Sequence, residues 1–264
     1  RIARIRSRTV VLTMPKVITM FKRSQQETRR LKRGAYLLPS MFTVANMFCG
    51  WACIVYSMRG EFATAAPFIG FAMVLDLLDG RIARATGATS DFGVEFDSLA
   101  DIVSFGIAPA TLVFSWGLQP LGRLGWAIGF LWLTAAAVRL ARFNVERKEG
   151  SHRYFIGLPS PAAAGVPAAT VFAVPEFIPE PSAMLGALLI VLVPAVLMVS
   201  RIRFRSFNAL IPGGSRSYST PLFIAVVIAA IAAQPEIVLT VMAYSYLLSG
   251  LIGSALNGRN REPV

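Results

Sequence analysis

The segment from Asp76 to Asp101 reads DLLDGRIARATGATSDFGVEFDSLAD and joins two long apolar stretches. Six of the 14 acidic residues of the chain fall within it. They are Asp76, Asp79, Asp91, Glu95, Asp97 and Asp101. An aspartate at the centre of a membrane helix costs about 2.5 to 3.5 kcal/mol, so four of them cost roughly 10 kcal/mol. We therefore expect the carboxylates to lie in a wet cavity near one membrane face, neutralised by cations.

The composition of the chain explains why lipid is the expected surrounding. Hydrophobic residues make up 55% of the 264 residues and charged residues 15%, against about 25% charged residues in soluble domains. Too few polar side chains remain to cover a surface that faces water. We predict an all-α integral membrane protein, with a basic tail over residues 1–34 and one transmembrane domain over residues 35–264.

A membrane-spanning helix needs about 20 mostly apolar residues, and eight stretches are candidates. They run approximately over Tyr36–Met58, Phe62–Arg84, Phe92–Trp116, Leu121–Val145, Pro159–Val174, Ser182–Ser200, Thr220–Ala233 and Glu236–Leu256. The fifth and seventh stretches are short or flanked by proline, which leaves a count of six or seven spans open.

The net charge of +12 would suggest nucleic acid in a soluble protein, but the distribution of the basic residues favours a membrane. Of the 26 basic residues, 24 lie in the tail or in connections on one side of the membrane. The positive-inside rule places that side and both termini in the cytoplasm, so the number of spans is even. We expect the tail to lie on anionic lipid, with Thr9–Lys22 as a candidate interfacial helix, and we expect no nucleic-acid partner.

Helical spacing predicts where the aspartates point. Asp76 and Asp79 are three residues apart and Asp97 and Asp101 are four apart, so each pair shares one face of its helix. The intervening residues 85–91 contain a glycine stop and a Ser or Asp cap, which indicates a short turn between antiparallel helices. Both pairs then lie at similar depth, and we expect the four carboxylates to converge.

Converging oxygen ligands without Cys or His nearby suit Mg²⁺ or Mn²⁺. Two such ions about 3.5 to 4 Å apart can clamp the attacking and leaving oxygens in a phosphoryl displacement. The small residues Gly80, Ala83 and Gly93 leave room for a diphosphate to approach the backbone, and Arg84 is placed to meet phosphate oxygens. In the alternative interpretation, the acids form buried ion pairs with arginines in a transporter or scaffold. Those arginines are Arg81, Arg84, Arg139 and Arg142.

The pattern Asp76-x2-Asp79-Gly80-x2-Ala83-Arg84-x8-Gly93-x3-Asp97-x3-Asp101 resembles the signature of the CDP-alcohol phosphatidyltransferase family, with all eight positions filled. The resemblance implies a six-helix core, which sits here among about eight transmembrane helices, and a protein that is usually a homodimer. It also implies transfer of a phosphatidyl group from CDP-diacylglycerol to an alcohol, with release of CMP, by a transmembrane catalytic domain over residues 35–264.

The resemblance further implies roles for the signature residues. Asp76, Asp79 and Asp97 would hold two divalent cations, and Asp101 would contact one of them and serve as the catalytic base. The positions implied to border the cytidine diphosphate are Asp76, Gly80, Ala83, Arg84 and Gly93.

Four further segments are similar to the bacterial and archaeal phosphatidylserine synthases within this family, which implies L-serine as the acceptor. They are Leu38–Gly50, Ser104–Ala110, Arg139–Asn144 and Gly157–Gly165. The likeness reaches from about Leu37 to Phe207, although Ser40 stands where an Asn is common. Glycerol 3-phosphate or inositol phosphate as acceptor, or a cation transporter that uses the acids as an ion path, are the alternatives.

Three polar residues are candidates to bind the acceptor. Arg142 could anchor the carboxylate of serine with Asn144 beside it, and Asn46 could hydrogen-bond either substrate. Each has an ordinary alternative role. Arg142 and Asn144 could cap a helix and meet lipid phosphate, and Asn46 could join neighbouring helices.

Overall fold

The computed structural model describes residues 40–86, 90–149, 155–204 and 219–258, which form helices, one short ribbon and the connections between them. The helices are α1 (Ser40–Met58), α2 (Phe62–Thr86), α3 (Asp91–Leu121), α4 (Arg123–Glu149), α5 (Ser160–Ala173), α6 (Pro181–Val199), α7 (Ser219–Ala233) and α8 (Pro235–Gly258). The antiparallel ribbon pairs β1 (Phe155–Ile156) with β2 (Arg203–Phe204). The all-α prediction is confirmed. The sequence did not predict the ribbon, whose two strands have two residues each. The predicted basic tail and its interfacial helix lie outside the described residues.

Six of these helices are long and apolar enough to cross a membrane, namely α1, α2, α3, α4, α6 and α8. The other two, α5 and α7, are apolar but have only 14 and 15 residues. They correspond to the two stretches that the sequence marks as short or flanked by proline. The predicted set of eight apolar helices is therefore confirmed for the described residues, and two of its members are shorter than a usual span.

The third helix is irregular, and the sequence did not predict this. It is α-helical over Asp91–Asp101, π-helical over Ile102–Ile107 and α-helical again over Ala108–Val113. A second π-helical segment covers Phe114–Leu118, and the helix ends in a 3-10 turn over Gln119–Leu121. Pro109 has no N–H to donate to the carbonyl of Phe105, and the indole Nε1 of Trp132 on α4 donates to that carbonyl instead, at 3.2 Å. Short π-helical turns are frequent at functional sites, and the first of these begins directly after Asp101.

The short helix α5 lies at the centre of the bundle. It packs against α2, α6, α8 and the π-helical part of α3. Its alanines allow this, since Ala163 and Ala164 are fully buried and Gly165 approaches Met73 on α2. Large apolar side chains such as those of Phe48, Phe130 and Val196 face outward, as expected of surfaces that meet lipid.

Helices α1 and α3 approach each other closely at Gly50. A Cβ atom placed on Gly50 would lie 2.7 Å from Ser104 Oγ and 2.8 Å from Ser104 Cα. The same serine hydroxyl donates a hydrogen bond to the carbonyl of Asn46 at 2.9 Å. This contact holds α1 against the part of α3 that follows Asp101.

We predict that Gly50→Ala destabilises the protein, because the added methyl group must push α1 and α3 apart. Overpacking of this kind costs about 1 to 3 kcal/mol, so the thermal midpoint in detergent should fall by several degrees. Gly70→Ala on α2 is the matched control, since a Cβ there meets nothing within 4 Å. Equal midpoints for the two variants would contradict the close approach.

Candidate active site

Three aspartates from α2 and α3 form the acidic cluster. Asp76, Asp97 and Asp101 each bring one carboxylate oxygen to within 4.8 Å of the others. Asp101 is buried and the other two are half-buried. The start of α3 is fixed by Ser90, whose hydroxyl accepts a hydrogen bond from the backbone N–H of Gly93 at 3.0 Å. The predicted convergence of the two helices is therefore present for these three carboxylates.

The fourth predicted aspartate, Asp79, lies beside the cluster and outside this set of three. Its side chain is buried, and its Oδ2 accepts a hydrogen bond from the hydroxyl of Thr43 on α1 at 3.0 Å. It follows Asp76 by three residues, which is less than one helical turn along α2. Helix α1 thus holds one carboxylate at the edge of the acidic cluster.

Helix α1 also contacts Asp101. The amide Nδ2 of Asn46 donates to Asp101 Oδ1 at 3.4 Å, and Asn46 is fully buried. Its Oδ1 has no hydrogen-bond partner among the residues that the structure describes. Sequence reasoning proposed Asn46 for the acceptor and missed Thr43. Thr43, Asn46 and Gly50 follow one another at helical spacing, and this stripe was the signal that could have identified the face of α1 toward the site.

The two acceptor candidates on α4 are half-buried. Asn144 donates from Nδ2 to Ser98 Oγ on α3 at 2.9 Å, so it joins the two helices next to Asp97. Arg142 lies two residues earlier. The more deeply buried arginine is Arg139, which is 6% exposed and donates from Nε to the carbonyl of Leu158 at 3.3 Å.

The chemistry of the acidic cluster fits a hard metal ion. Within the described ranges, Asp76, Asp97 and Asp101 are the one group of three or more acidic, His or Cys side chains close enough to share an ion. All their donor atoms are carboxylate oxygens, which magnesium and manganese prefer over the sulfur and imidazole ligands typical of zinc. The cluster could therefore bind a divalent cation.

The sequence profile of CDP-alcohol phosphatidyltransferases matches residues 36–252. The chain belongs to this family. A CDP-diacylglycerol–serine O-phosphatidyltransferase of Helicobacter pylori is 37% identical over 221 residues, which cover 82% of this chain and 90% of the relative. A Bacillus subtilis protein of the same name is 37% identical over 126 residues, covering 48% and 70%. An archaetidylserine synthase of Methanothermobacter thermautotrophicus is 34% identical over 169 residues, covering 63% and 69%.

The remaining signature positions of this CDP-alcohol phosphatidyltransferase line the ends of α2 and α3 next to the acidic cluster. Gly80 and Ala83 are half-buried and Arg84 is exposed. A Cβ on Gly80 would meet only the Arg84 guanidinium, at 3.9 Å, whereas a Cβ on Gly93 would come within 3.1 Å of Ser90 Oγ. Gly80 therefore leaves open space at the backbone, and Gly93 makes room for the cap of α3.

Proposed function

We propose that the protein is a phosphatidylserine synthase, which transfers the phosphatidyl group of CDP-diacylglycerol to the hydroxyl of L-serine and releases CMP. The observation that carries this proposal is the convergence of Asp76, Asp97 and Asp101 between two helices that bear the family signature. The names of the relatives support serine as the acceptor, since those described above are serine phosphatidyltransferases or an archaetidylserine synthase.

In this proposal, the four aspartates Asp76, Asp79, Asp97 and Asp101 hold two divalent cations, Mg²⁺ or Mn²⁺. When bound, the ions neutralise the diphosphate and stabilise the charge that develops on the leaving CMP. Together with Asp76, four residues would border the cytidine diphosphate. They are Gly80, Ala83, Arg84 and Gly93.

Asp101 is the proposed base. The serine hydroxyl oxygen attacks the lipid-bearing phosphorus, its proton passes to the Asp101 carboxylate, and the bond from phosphorus to the CMP oxygen breaks with its electron pair going to CMP. Asn46 holds Asp101 through its amide Nδ2, and its Oδ1 is available to a substrate donor. Arg142 and Asn144 are proposed to border the acceptor. The described acidic cluster contains no Ser, Cys or His, so a direct single displacement is proposed.

The proposed orientation places both termini and the active site on the cytoplasmic side of the membrane. Its support is the concentration of Lys and Arg on one side of the apolar helices. In this orientation the acyl chains of CDP-diacylglycerol stay in the bilayer while serine arrives from the cytosol. We also propose a homodimer, on the resemblance to the family.

An acceptor assay tests the proposed function. The purified protein is supplied with CDP-diacylglycerol, Mn²⁺ and one acceptor at a time, and CMP release is measured. We expect rapid release with L-serine and little release with glycerol 3-phosphate or inositol phosphate. If CMP is released with glycerol 3-phosphate or inositol phosphate and not with serine, that phosphorylated compound is the acceptor. Cation flux into sealed vesicles without nucleotide, and without CMP release, would instead indicate a transporter.

The contact between Thr43 and Asp79 gives a further prediction. Thr43→Val keeps the shape of the side chain but removes the hydroxyl donor of Asp79. A hydrogen bond to a charged group contributes about 1.5 to 3 kcal/mol, so the Mn²⁺ concentration that half-restores CMP release should rise about 10-fold or more. Thr43→Ser, which keeps the hydroxyl, is the control and should behave like the wild type. Equal Mn²⁺ dependence of Thr43→Val and Thr43→Ser would show that the Thr43 hydroxyl does not support metal binding.

A further inference from the structure

A second group of buried polar side chains lies where α4 meets the start of α5, and the mechanism above uses none of it. Arg139 is 6% exposed and Ser160 is 3% exposed. Arg139 donates from Nε to the carbonyl of Leu158, two residues before Ser160, at 3.3 Å, and its guanidinium lies 5.3 Å from the centre of the Phe143 ring. The protein thus places a cationic side chain in its interior at the N-terminus of α5.

Ser160 indicates that this group is built for a ligand. It is the first residue of α5, and the preceding Pro159 provides no side-chain cap. Pro161 has no N–H, so the first turn of α5 offers the N–H groups of Ser160 and Ala162, which have no intrahelical acceptors and attract anions. In addition, Ser160 Oγ is buried without a hydrogen-bond partner in the described part of the chain. Buried hydroxyl groups are nearly always paired with protein or ordered water, so this hydroxyl can bond a molecule that enters here.

Helix geometry puts this group at the depth of the acidic cluster. Gly165 of α5 packs on Met73 of α2, and the two helices are antiparallel because three reversals of direction separate them. At about 1.5 Å per residue, Ser160 lies about 7.5 Å beyond Gly165. Asp76 and Asp79 lie about 4.5 and 9 Å beyond Met73 in the same direction.

Arg139 reaches the same level along α4. Two contacts set the register between the antiparallel helices α4 and α3. Ala136 faces Gly106, and Asn144 donates a hydrogen bond to Ser98. Asn144 lies eight residues after Ala136, and Ser98 lies eight residues before Gly106. Arg139 therefore lies opposite the residues that directly follow Asp101.

We propose that Arg139, Ser160 and the first turn of α5 bind the α-carboxylate of the amino-acid acceptor. This inference rests on the proposed function and names the part of the protein that selects an amino acid over a simple amino alcohol. A guanidinium binds a carboxylate through two parallel hydrogen bonds, and the hydroxyl and helix N–H groups add further donors. One buried cation matches the single charge of a carboxylate better than the double charge of a phosphate.

The test compares two acceptors that differ only in the carboxylate. L-Serine and 2-amino-1,3-propanediol, in which a hydroxymethyl group replaces the carboxylate, are each supplied to the full chain in lipid nanodiscs with CDP-diacylglycerol and Mn²⁺. For Arg139→Gln we expect the KM for serine to rise about 10- to 100-fold, the range for a lost hydrogen bond to a charged group. For Ser160→Ala we expect a rise of about 3- to 10-fold. In both variants the KM for CDP-diacylglycerol and the kcat/KM for the propanediol should stay within about twofold of the wild type.

Matched variants separate this role from a structural one. Ser182→Ala alters an exposed serine in the first turn of α6, and Arg123→Gln alters an exposed arginine at the start of α4. Both should leave the KM for serine close to that of the wild type. Arg139→Lys keeps the charge but loses the paired hydrogen bonds, so it should fall between wild type and Arg139→Gln. Equilibrium binding of radiolabelled serine, in the presence of CMP and Mn²⁺, should weaken in the same order.

Two results would overturn the assignment. One is an equal loss with serine and with the propanediol in the Arg139 and Ser160 variants, which indicates a packing role. The other is a rise in serine KM with Arg142→Gln and not with Arg139→Gln. A wild-type protein that releases CMP with glycerol 3-phosphate and not with serine would instead contradict the proposed function, before any variant is compared.

Discussion

Asp97→Asn should reduce CMP release by roughly 10³-fold, with a matching loss of Mn²⁺ binding. Asn has the same shape as Asp but carries no charge and offers a single oxygen. Mutation of residues that only hydrogen-bond to a metal ligand changes metal affinity or activity by about 10- to 100-fold. The loss of a direct ligand should therefore exceed that range. In the proposed site, Asp97 lies with Asp76 and Asp101 in one group of carboxylates close enough to share an ion.

Asp91→Asn is the matched control for this variant. Asp91 lies on the same helix, six residues earlier, and its side chain is exposed. The substitution makes the same change of charge and shape outside the acidic cluster, so activity and Mn²⁺ binding should remain within about twofold of the wild type. If Asp91→Asn and Asp97→Asn lost activity to the same extent, charge on α3 in general would be responsible, and the ligand role of Asp97 would be wrong.

Asp101→Asn should have a different signature from Asp97→Asn. Removal of a general base lowers the rate of the chemical step by about 10²- to 10⁴-fold, so kcat for serine should fall in that range. Asn cannot take the proton of the serine hydroxyl, but it keeps an oxygen beside the remaining carboxylates. Binding of Mn²⁺ and CMP should therefore be partly retained, as measured by Mn²⁺ electron paramagnetic resonance and by displacement of radiolabelled CMP.

Asn46→Ala is the companion variant for Asp101. It removes the amide that donates to Asp101 Oδ1 without changing any carboxylate. A positioning residue of this kind should lower kcat by less than the base itself and leave the KM for CDP-diacylglycerol nearly unchanged. Full turnover by Asp101→Asn would show that another group accepts the proton.

The acidic cluster could be predicted from the sequence because it is local. The helices that carry Asp76 and Asp97 are joined by a short connection, so helical spacing and the capping residues determine which carboxylates meet. The high cost of unpaired aspartates in an apolar helix made the functional interpretation stronger than a structural one. The same reasoning marked α5 and α7 as short from their proline flanks.

The contributions of distant helices could not be predicted in this way. Thr43 reaches Asp79 across 36 positions of sequence and Asn46 reaches Asp101 across 55, and a polar residue in an apolar helix does not reveal its partner. The π-helical turn after Asp101 lies beside another tertiary contact, in which the indole of Trp132 on α4 donates to the carbonyl of Phe105. For the same reason, the sequence suggested Arg142 as the anchor for the serine carboxylate, whereas the fold buries Arg139 more deeply.

The most direct test of the central claim is CMP release by protein that has been stripped with a chelator and then titrated with Mn²⁺, in the presence of CDP-diacylglycerol and L-serine. If carboxylates of α2 and α3 hold divalent cations that transfer requires, the stripped wild-type protein is inactive and Mn²⁺ restores its turnover. Asp97→Asn stays inactive at the same Mn²⁺ concentrations. Full turnover by the stripped protein, with no response to Mn²⁺, would contradict the account.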